Sequence, residues 1–250
     1  MGQEENNSYL QTVARALSVL QLFEKNGEYS LTEIARLTQL NSTITYRLLY
    51  TLTEHRFLSQ DPVSKRYRIG DSAIMLGLVG LQNKDIYRAA HRPVLEYYQQ
   101  TGYDVSVTVC VNNRSVVIEK FSSIADEEDT LYVGRSYSLQ RGASHRILLA
   151  FMEPRQKEAY LDSLLLDNVQ RADLWEELDR IRQRGYDYTE QLLTKGLWGL
   201  SVPIYDRYGR FAAGLSTGDF LDENTTLIVP ERLERLRQLA GRIMEQLKKR

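Results

Sequence analysis

Apolar residues recur along this chain first with a helical period and later with a strand period, and the change of period separates its parts. Over residues 9–24, Val13, Leu17, Leu20 and Phe23 are spaced for burial on one side of a helix that Asn26-Gly27 stops. Ser30-Leu31-Thr32-Glu33 is a capping box, so a second helix begins at Leu31 and turns Leu31, Ile34, Ala35 and Leu37 inward. Thr38-Gln39-Leu40-Asn41 turns the chain, and Asn41 or Ser42 caps the next helix. In that third helix Ile44, Leu48 and Leu52 make the buried stripe, which leaves Ser42, Thr43, Tyr46 and Tyr50 on the opposite side and Arg47 on the flank. Residues 57–60 and 67–69 then read as short strands, joined by Asp61-Pro62-Val63-Ser64-Lys65-Arg66. Residues 71–81 form a helix that is apolar on nearly every face, with Gly77 and Gly80 inside it. Too short to span a bilayer, it needs a cover: a second copy of itself, or the chain's own domains.

The second half mixes both periods. Residues 84–100 predict an amphipathic helix, residues 103–111 alternate as a strand, Asn112-Asn113-Arg114 turns, and 115–121 return. The acidic stretch 126–129 reads as a solvated loop without the spacing of a calcium site, and a strand is expected at 130–133. Residues 138–151 pass from a polar glycine loop into a helix. Further helices are expected at 154–166 and 172–184, the second ended by Gly185. Strands are expected next at 198–205 and 210–217 around the turn at 206–209. Pro230 opens a last helix with Leu233, Leu236, Ala240, Ile243 and Leu247 inward. Helices interleaved with antiparallel hairpins imply an α+β fold.

Charge refines this picture. The chain has 250 residues, 42% of them hydrophobic, with a formal net charge of −1. That balance argues against an indiscriminate polyanion binder, so any affinity for nucleic acid needs a local patch. Between positions 36 and 68 the cations Arg36, Arg47, Arg56, Lys65, Arg66 and Arg68 face only Glu54 and Asp61. Hydroxyls, phenols and a guanidinium on the outer face of the third helix suit both base edges and phosphates. Lys65, Arg66 and Arg68 on the hairpin add phosphate contacts. Each element alone would equally suit a small helical domain with a solvated hairpin; their ordered combination favours DNA. The single cysteine, Cys110, excludes an internal disulfide and a zinc cluster, and reads as a small core hydrophobe. The acidic start Met1-Gly2-Gln3-Glu4-Glu5 is no secretory leader, so a cytoplasmic protein is expected.

Catalytic signatures are missing from the sequence: no G-x-S-x-G, P-loop or dinucleotide fingerprint occurs, and His55, His91 and His145 stand apart. His145 reads as a satisfied hydrogen-bonding residue. No catalytic residue, metal ligand or cofactor is therefore expected. The start of the helix after Gly142 can cradle an anion, because the amides of Gly142, Ala143 and Ser144 point outward at the positive end of the dipole. Arg141, His145 and Arg146 can add charge, though the residues alone equally allow an ordinary helix start with solvated arginines. An alternative reading is a metabolic enzyme fused to a helical oligomerisation domain.

The runs TVARALSVL from Thr12, LTEIARLTQL, TYRLLYTL and DPVSKRYRIG resemble the winged-helix domain of IclR-type bacterial transcription regulators, and GLWGLSVPIYDRYGRFAAGLSTG (196–218) resembles the signature of that family's effector-binding domain. Ser42-Thr43-Ile44 departs from the family's usual Lys-Ser-Thr start of the recognition helix. Gln140 and His145-Arg146 stand where others often have His and Gly-Lys. The resemblance implies a winged helix-turn-helix at 1–70, a linker helix at 71–83 and a GAF-like effector-binding domain at 84–250. It also implies that Arg15 can approach the DNA backbone and that the loop at Gly142 lines the effector pocket. The expected DNA contacts are Ser42, Thr43, Tyr46, Arg47, Tyr50, Lys65, Arg66 and Arg68. The expected effector contacts are Arg141, Gly142, Ala143, Ser144, Trp198, Ser201, Ser216 and Thr217. The expected partners are double-stranded operator DNA, a small organic effector (a carboxylate or aromatic acid), and further copies of the chain as a homodimer or dimer of dimers, with no membrane.

Overall fold

A computed structural model describes residues 10–24, 27–124 and 131–250. These divide into two compact units, with the break between Leu81 and Gln82. The expected start of the first helix at position 9, its stop at Asn26 and the acidic stretch 126–129 lie outside the described residues.

The first unit is built on a three-helix core. Helix α1 (Gln11–Leu22) buries Val19 and Phe23. The expected stripe is partly wrong: Val13 and Leu17 are 51% and 54% exposed and, with exposed Leu10, form an outer apolar stripe. The helix carries apolar residues on two sides, and spacing alone does not say which packs. Helix α2 (Leu31–Thr38) begins with the capping box intact, Glu33 N–H donating to Ser30 Oγ while Ser30 N–H donates to Glu33 Oε2. It buries Ile34 but leaves Leu37 exposed, against expectation. Asn41 caps α3 (Ser42–Glu54), accepting from Ile44 N–H at 2.9 Å, and Thr45, Leu48, Leu49 and Leu52 face the core. Strands β1 (Leu58–Gln60) and β2 (Tyr67–Ile69) pair antiparallel, Ser59 opposite Arg68, and Tyr29 adds an isolated bridge to Tyr67. Helix α4 (Asp71–Gln82) comes next, with none of its residues buried.

The second unit is a six-stranded antiparallel sheet between helices. Its strands are β3 (Val105–Val111), β4 (Arg114–Phe121), β5 (Ser136–Tyr137), β6 (Asp187–Glu190), β7 (Leu197–Tyr205) and β8 (Phe211–Phe220), in the order β5-β4-β3-β8-β7-β6. Asn112 and Asn113 both adopt positive φ, the backbone a two-residue hairpin turn needs, so β3 and β4 meet tightly. Helices α5 (Asp85–Thr101) and α9 (Thr225–Lys248) contact one another and the sheet; α6 (Ala143–Phe151) packs on β3, β7 and β8, with α8 (Asn168–Arg184) beyond it and α7 (Pro154–Asp162) in the same core.

Several boundaries differ from those expected. Residues 131–133 form no strand; the edge strand is β5. Helix α8 starts earlier, because Asp167 and Gln170 make a second capping box. Helix α9 begins before Pro230, where the Thr225 hydroxyl and Asp222 exchange hydrogen bonds at the turn, and the helix absorbs the proline. Cys110 is exposed near the β3–β4 turn and is no core residue. Among the described residues, no helix is long and apolar enough to cross a membrane.

Candidate functional site

The outer face of α3 is bare. Ser42, Thr43, Tyr46, Arg47 and Tyr50 are all exposed, and the Tyr46 and Tyr50 rings lie side by side, one helical turn apart, with centroids 6.4 Å apart. Beside them the β1–β2 hairpin is held at its tip by Asp61, whose Oδ1 accepts from the Val63 and Ser64 amides and the Ser64 hydroxyl. Those bonds hold the Asp61 carboxyl below its ordinary range. Lys65 stands at the tip with φ of 58°. Arg68 is exposed, its Nε donating to the Ser59 hydroxyl at 3.2 Å.

Arg66 behaves differently. Its Nη2 donates to Glu33 Oε2 at 2.9 Å and to the Glu28 carbonyl at 3.1 Å, so it ties the hairpin back onto the start of α2. The Ser30 amide and hydroxyl, and after them Arg66, lower the Glu33 pKa. Arg66 is thus not a free phosphate contact in this structure. A Glu three residues into a capping box is already engaged, and nothing local in the sequence pairs it with a cation more than thirty residues on.

In the second unit a cavity opens where α6 begins over the sheet. Gly142, Ala143, Ser144, Trp198, Ser216 and Thr217 line it. Gly142 has a φ of 82°, and a Cβ there would stand 3.0 Å from Leu193 Cβ, so glycine lets the 191–196 loop close against the helix start. The Ala143 amide donates to the Thr189 hydroxyl at 3.2 Å, while the Gly142 and Ser144 amides have no partner among the described residues. The positive end of α6 therefore keeps unspent donors at the cavity.

The floor of the cavity is set by strand register. Gly199 of β7 stands opposite Gly218 of β8 and Thr189 of β6. A Cβ at Gly199 would meet Ala143 Cβ at 3.6 Å, which fixes that face as the one beneath α6. A Cβ at Gly218 would come within 2.6 Å of the Trp198 carbonyl oxygen, so no side chain fits there. The floor between the strands is bare backbone.

Several expected contacts fall elsewhere. Alternation along β7 puts the Trp198 ring on the face opposite Gly199, 6.1 Å from the Tyr188 ring and 5.8 Å from the Arg232 guanidinium. Ser201 is fully buried outside the lining, its hydroxyl donating to the Leu215 carbonyl and accepting from Ser216 Oγ. Arg141 is exposed outside the lining and donates to the Leu192 carbonyl at 3.3 Å. Arg146 turns to Glu177 at 2.8 Å and to Asp187 at 3.2 Å, and Arg184 also reaches Asp187 at 2.8 Å. Burial pushes the Asp187 carboxyl up to about 6 against the pull of these arginines. His145 is buried behind the helix start, its Nδ1 2.8 Å from the Ser115 hydroxyl and its ring stacked 4.8 Å from Tyr137. Burial lowers its pKa to about 4, so it is neutral at ordinary pH.

The lining also holds residues that sequence reading missed: Asp104, Ser106, Lys120 and Thr189. None belongs to a local motif. Only the pairing of distant strands brings them together.

Two family descriptions match. The IclR helix-turn-helix domain matches residues 12–62, and the bacterial transcriptional regulator IclR C-terminal description matches residues 79–245. The chain is similar to the HTH-type transcriptional regulator KipR of Bacillus subtilis (strain 168), 25% identical over 242 residues that span 94% of this chain and 96% of that one. It is also similar to the HTH-type transcriptional regulator KdgR of Escherichia coli (strain K12), 25% identical over 211 residues covering 82% of this chain and 80% of the relative. Among solved structures, the Thermotoga maritima IclR aligns with a TM-score of 0.67 at 26% identity, covering 96% of this chain and all of the other. An IclR homolog complexed with 4-hydroxybenzoate from Microbacterium hydrocarbonoxydans shares the fold, with a TM-score of 0.79, 20% identity, and coverage of 96% of this chain and 100% of that one.

Proposed function

Because this chain belongs to the IclR family of bacterial transcriptional regulators, we propose that its winged helix-turn-helix (1–70) binds operator DNA as part of a homodimer, and that a small organic acid in the cavity of its effector-binding domain (84–250) modulates that binding. The helix at 71–83 joins the two. The observation that carries the reading is the α6 start: unspent amides at the positive end of a helix, above a glycine floor and among apolar walls from Val105, Ile124, Leu131 and Leu193. Such a place receives a carboxylate at one end and a flat hydrocarbon body along its length. A relative of the same fold was solved with 4-hydroxybenzoate, an acid of that description.

On the DNA side, Tyr46, Arg47 and Tyr50, with Ser42 and Thr43, meet the major groove from α3, while Lys65 and Arg68 reach phosphates. The ligand changes DNA affinity only as far as it binds two arrangements of the dimer unequally, and the apolar helix α4 is the element placed to report the difference.

The test is one series of measurements on the full chain. Genomic fragments selected by the protein supply the operator, and its affinity is followed by fluorescence anisotropy while carboxylic acids are screened by thermal shift. An acid that stabilises the protein should also change operator affinity and be recovered unchanged. Ala143→Trp, which fills the cavity, should remove both ligand effects. Catalytic conversion of the ligand would instead favour an enzyme fused to a helical oligomerisation domain. A normal response by Ala143→Trp would place the ligand elsewhere.

A further inference from the structure

The outer face of α3 carries an apolar strip. Tyr46 and Tyr50 are 56% and 57% exposed, one helical turn apart, with ring centroids 6.4 Å apart and planes tilted by 30°. Among the described residues neither hydroxyl is hydrogen-bonded, and the Arg47 guanidinium beside them is unpaired. Two exposed aromatic rings side by side are apolar surface left for a partner.

The side chains that tell base pairs apart in the major groove are few. A guanidinium meets guanine, a carboxamide meets adenine through both its oxygen and its nitrogen, a carboxylate accepts from cytosine, and an apolar group touches the thymine methyl. Hydroxyls donate or accept as required and discriminate little. Helix α3 has Arg47 for guanine and no carboxamide of its own. Its cap, Asn41, spends Oδ1 on the Ile44 amide at 2.9 Å and so cannot turn both halves of its side chain to adenine. Glu54 is the last residue of α3, whereas base contacts come from the N-terminal part of a recognition helix. The Thr51 hydroxyl turns back to the Arg47 carbonyl at 2.9 Å. What remains for reading a base is apolar: the two tyrosine rings and the far smaller Thr43 methyl.

We infer that Tyr46 and Tyr50 are specificity residues that read thymine through its C5 methyl group, so that each operator half-site holds thymines beside a guanine met by Arg47. This rests on the operator-binding reading above. Base pairs follow one another at roughly 3.4 Å, so rings 6.4 Å apart reach methyl groups about two steps apart. A methyl laid against an aromatic ring removes apolar surface from water on both sides and needs no directional bond. Cytosine presents no methyl at that place, so the rings gain nothing from it.

Selection from random duplexes by the full chain supplies the preferred site. Fluorescence anisotropy then follows that duplex with deoxyuridine replacing each thymine in turn, which removes the methyl and keeps every hydrogen-bonding group. At about two positions of a half-site the replacement should weaken binding about three- to fivefold, the factor expected of one buried methyl. Tyr46→Ala and Tyr50→Ala should each abolish that loss at one position. Tyr46→Phe and Tyr50→Phe should keep it, since the ring and not the hydroxyl makes the contact. Arg47→Ala should weaken thymine and uridine duplexes alike and leave the loss in place. Both tyrosines stand outside the core, so melting curves of the variants should match that of the wild-type protein. A preferred site whose thymines can all be replaced without loss, a loss that survives both alanine variants, or a loss that disappears in the phenylalanine variants overturns the assignment and leaves operator binding standing. If selection yields no preferred duplex, the operator reading itself falls and this assignment with it.

Discussion

Arg47 and Arg66 are both cations of the first unit, yet the fold gives them opposite tasks. Arg47 is exposed on α3, whereas Arg66 is bonded to Glu33 and the Glu28 carbonyl. Arg47→Ala should weaken operator binding by about 1–3 kcal/mol if the guanidinium meets a guanine, with an unaltered melting curve; an unchanged anisotropy titration would remove it from the interface. Arg66→Gln should leave DNA affinity nearly as it was and lower stability only slightly, the pair being partly exposed. His145 makes a pH prediction. Its folded pKa of about 4 lies below the unfolded value, so the buried neutral ring contributes stability that is complete above about pH 6.5 and is lost as pH falls toward 4, by about 3 kcal/mol at most. Asp187, raised to about 6, acts with the opposite sign over much of the same window. The contribution of His145 is therefore read as the difference between the wild-type protein and His145→Gln in urea melts from pH 4 to 7. A difference that stays flat across that range would refute it.

At the scale of elements, the wing is a hairpin with one cation turned inward and two left out. Neutralising Lys65 and Arg68 together should flatten the log–log salt dependence of operator binding by about 0.9 for each that touches a phosphate, weakening all sequences alike. Adding Arg66→Gln to the pair should change the slope no further. A salt dependence untouched by the double substitution would mean that the hairpin is solvated in the complex. Helix α6 works in a comparable way. Its first turn is open at the cavity because Thr189 engages only the Ala143 amide, while the next ionisable residues in sequence, His145 and Arg146, are committed to Ser115 and to Glu177 and Asp187. A ligand seated there would meet backbone donors rather than arginines.

For the whole molecule, the question is what covers the apolar surface. Ile74, Met75, Leu76, Leu78 and Val79 of α4 are exposed on several sides of one helix, and Leu10, Val13 and Leu17 form an outer stripe on α1. Surfaces of this kind are normally buried by a symmetric partner. Light scattering on the full chain should give at least twice the chain mass. Replacing Ile74 and Leu78 together by Glu should lower that mass and weaken operator binding, since two half-sites need two recognition helices. A monomer that binds operator with full affinity would exclude the dimer reading.

The sequence by itself determined most elements, including the helix whose polar outer face the structure leaves exposed. Capping boxes, a run of apolar residues at helical spacing and an Asn-Asn turn are local, and local rules act through neighbours a few residues away. It also marked the Gly142 helix start and the 196–218 strands as one site, although not which side chains meet there. Only the tertiary structure decided that Val13 and Leu17 face outward, since a helix with two apolar sides carries no label for the buried one. Only it placed the Trp198 ring away from Gly199, because a strand's alternation has two settings and packing chooses between them. Lys120, Ser106 and Ser216 lie far apart in the chain and share a row because β3 pairs with both β4 and β8. Pairing register is a property of the folded sheet, set by which buried faces fit, and no spacing along the chain encodes it.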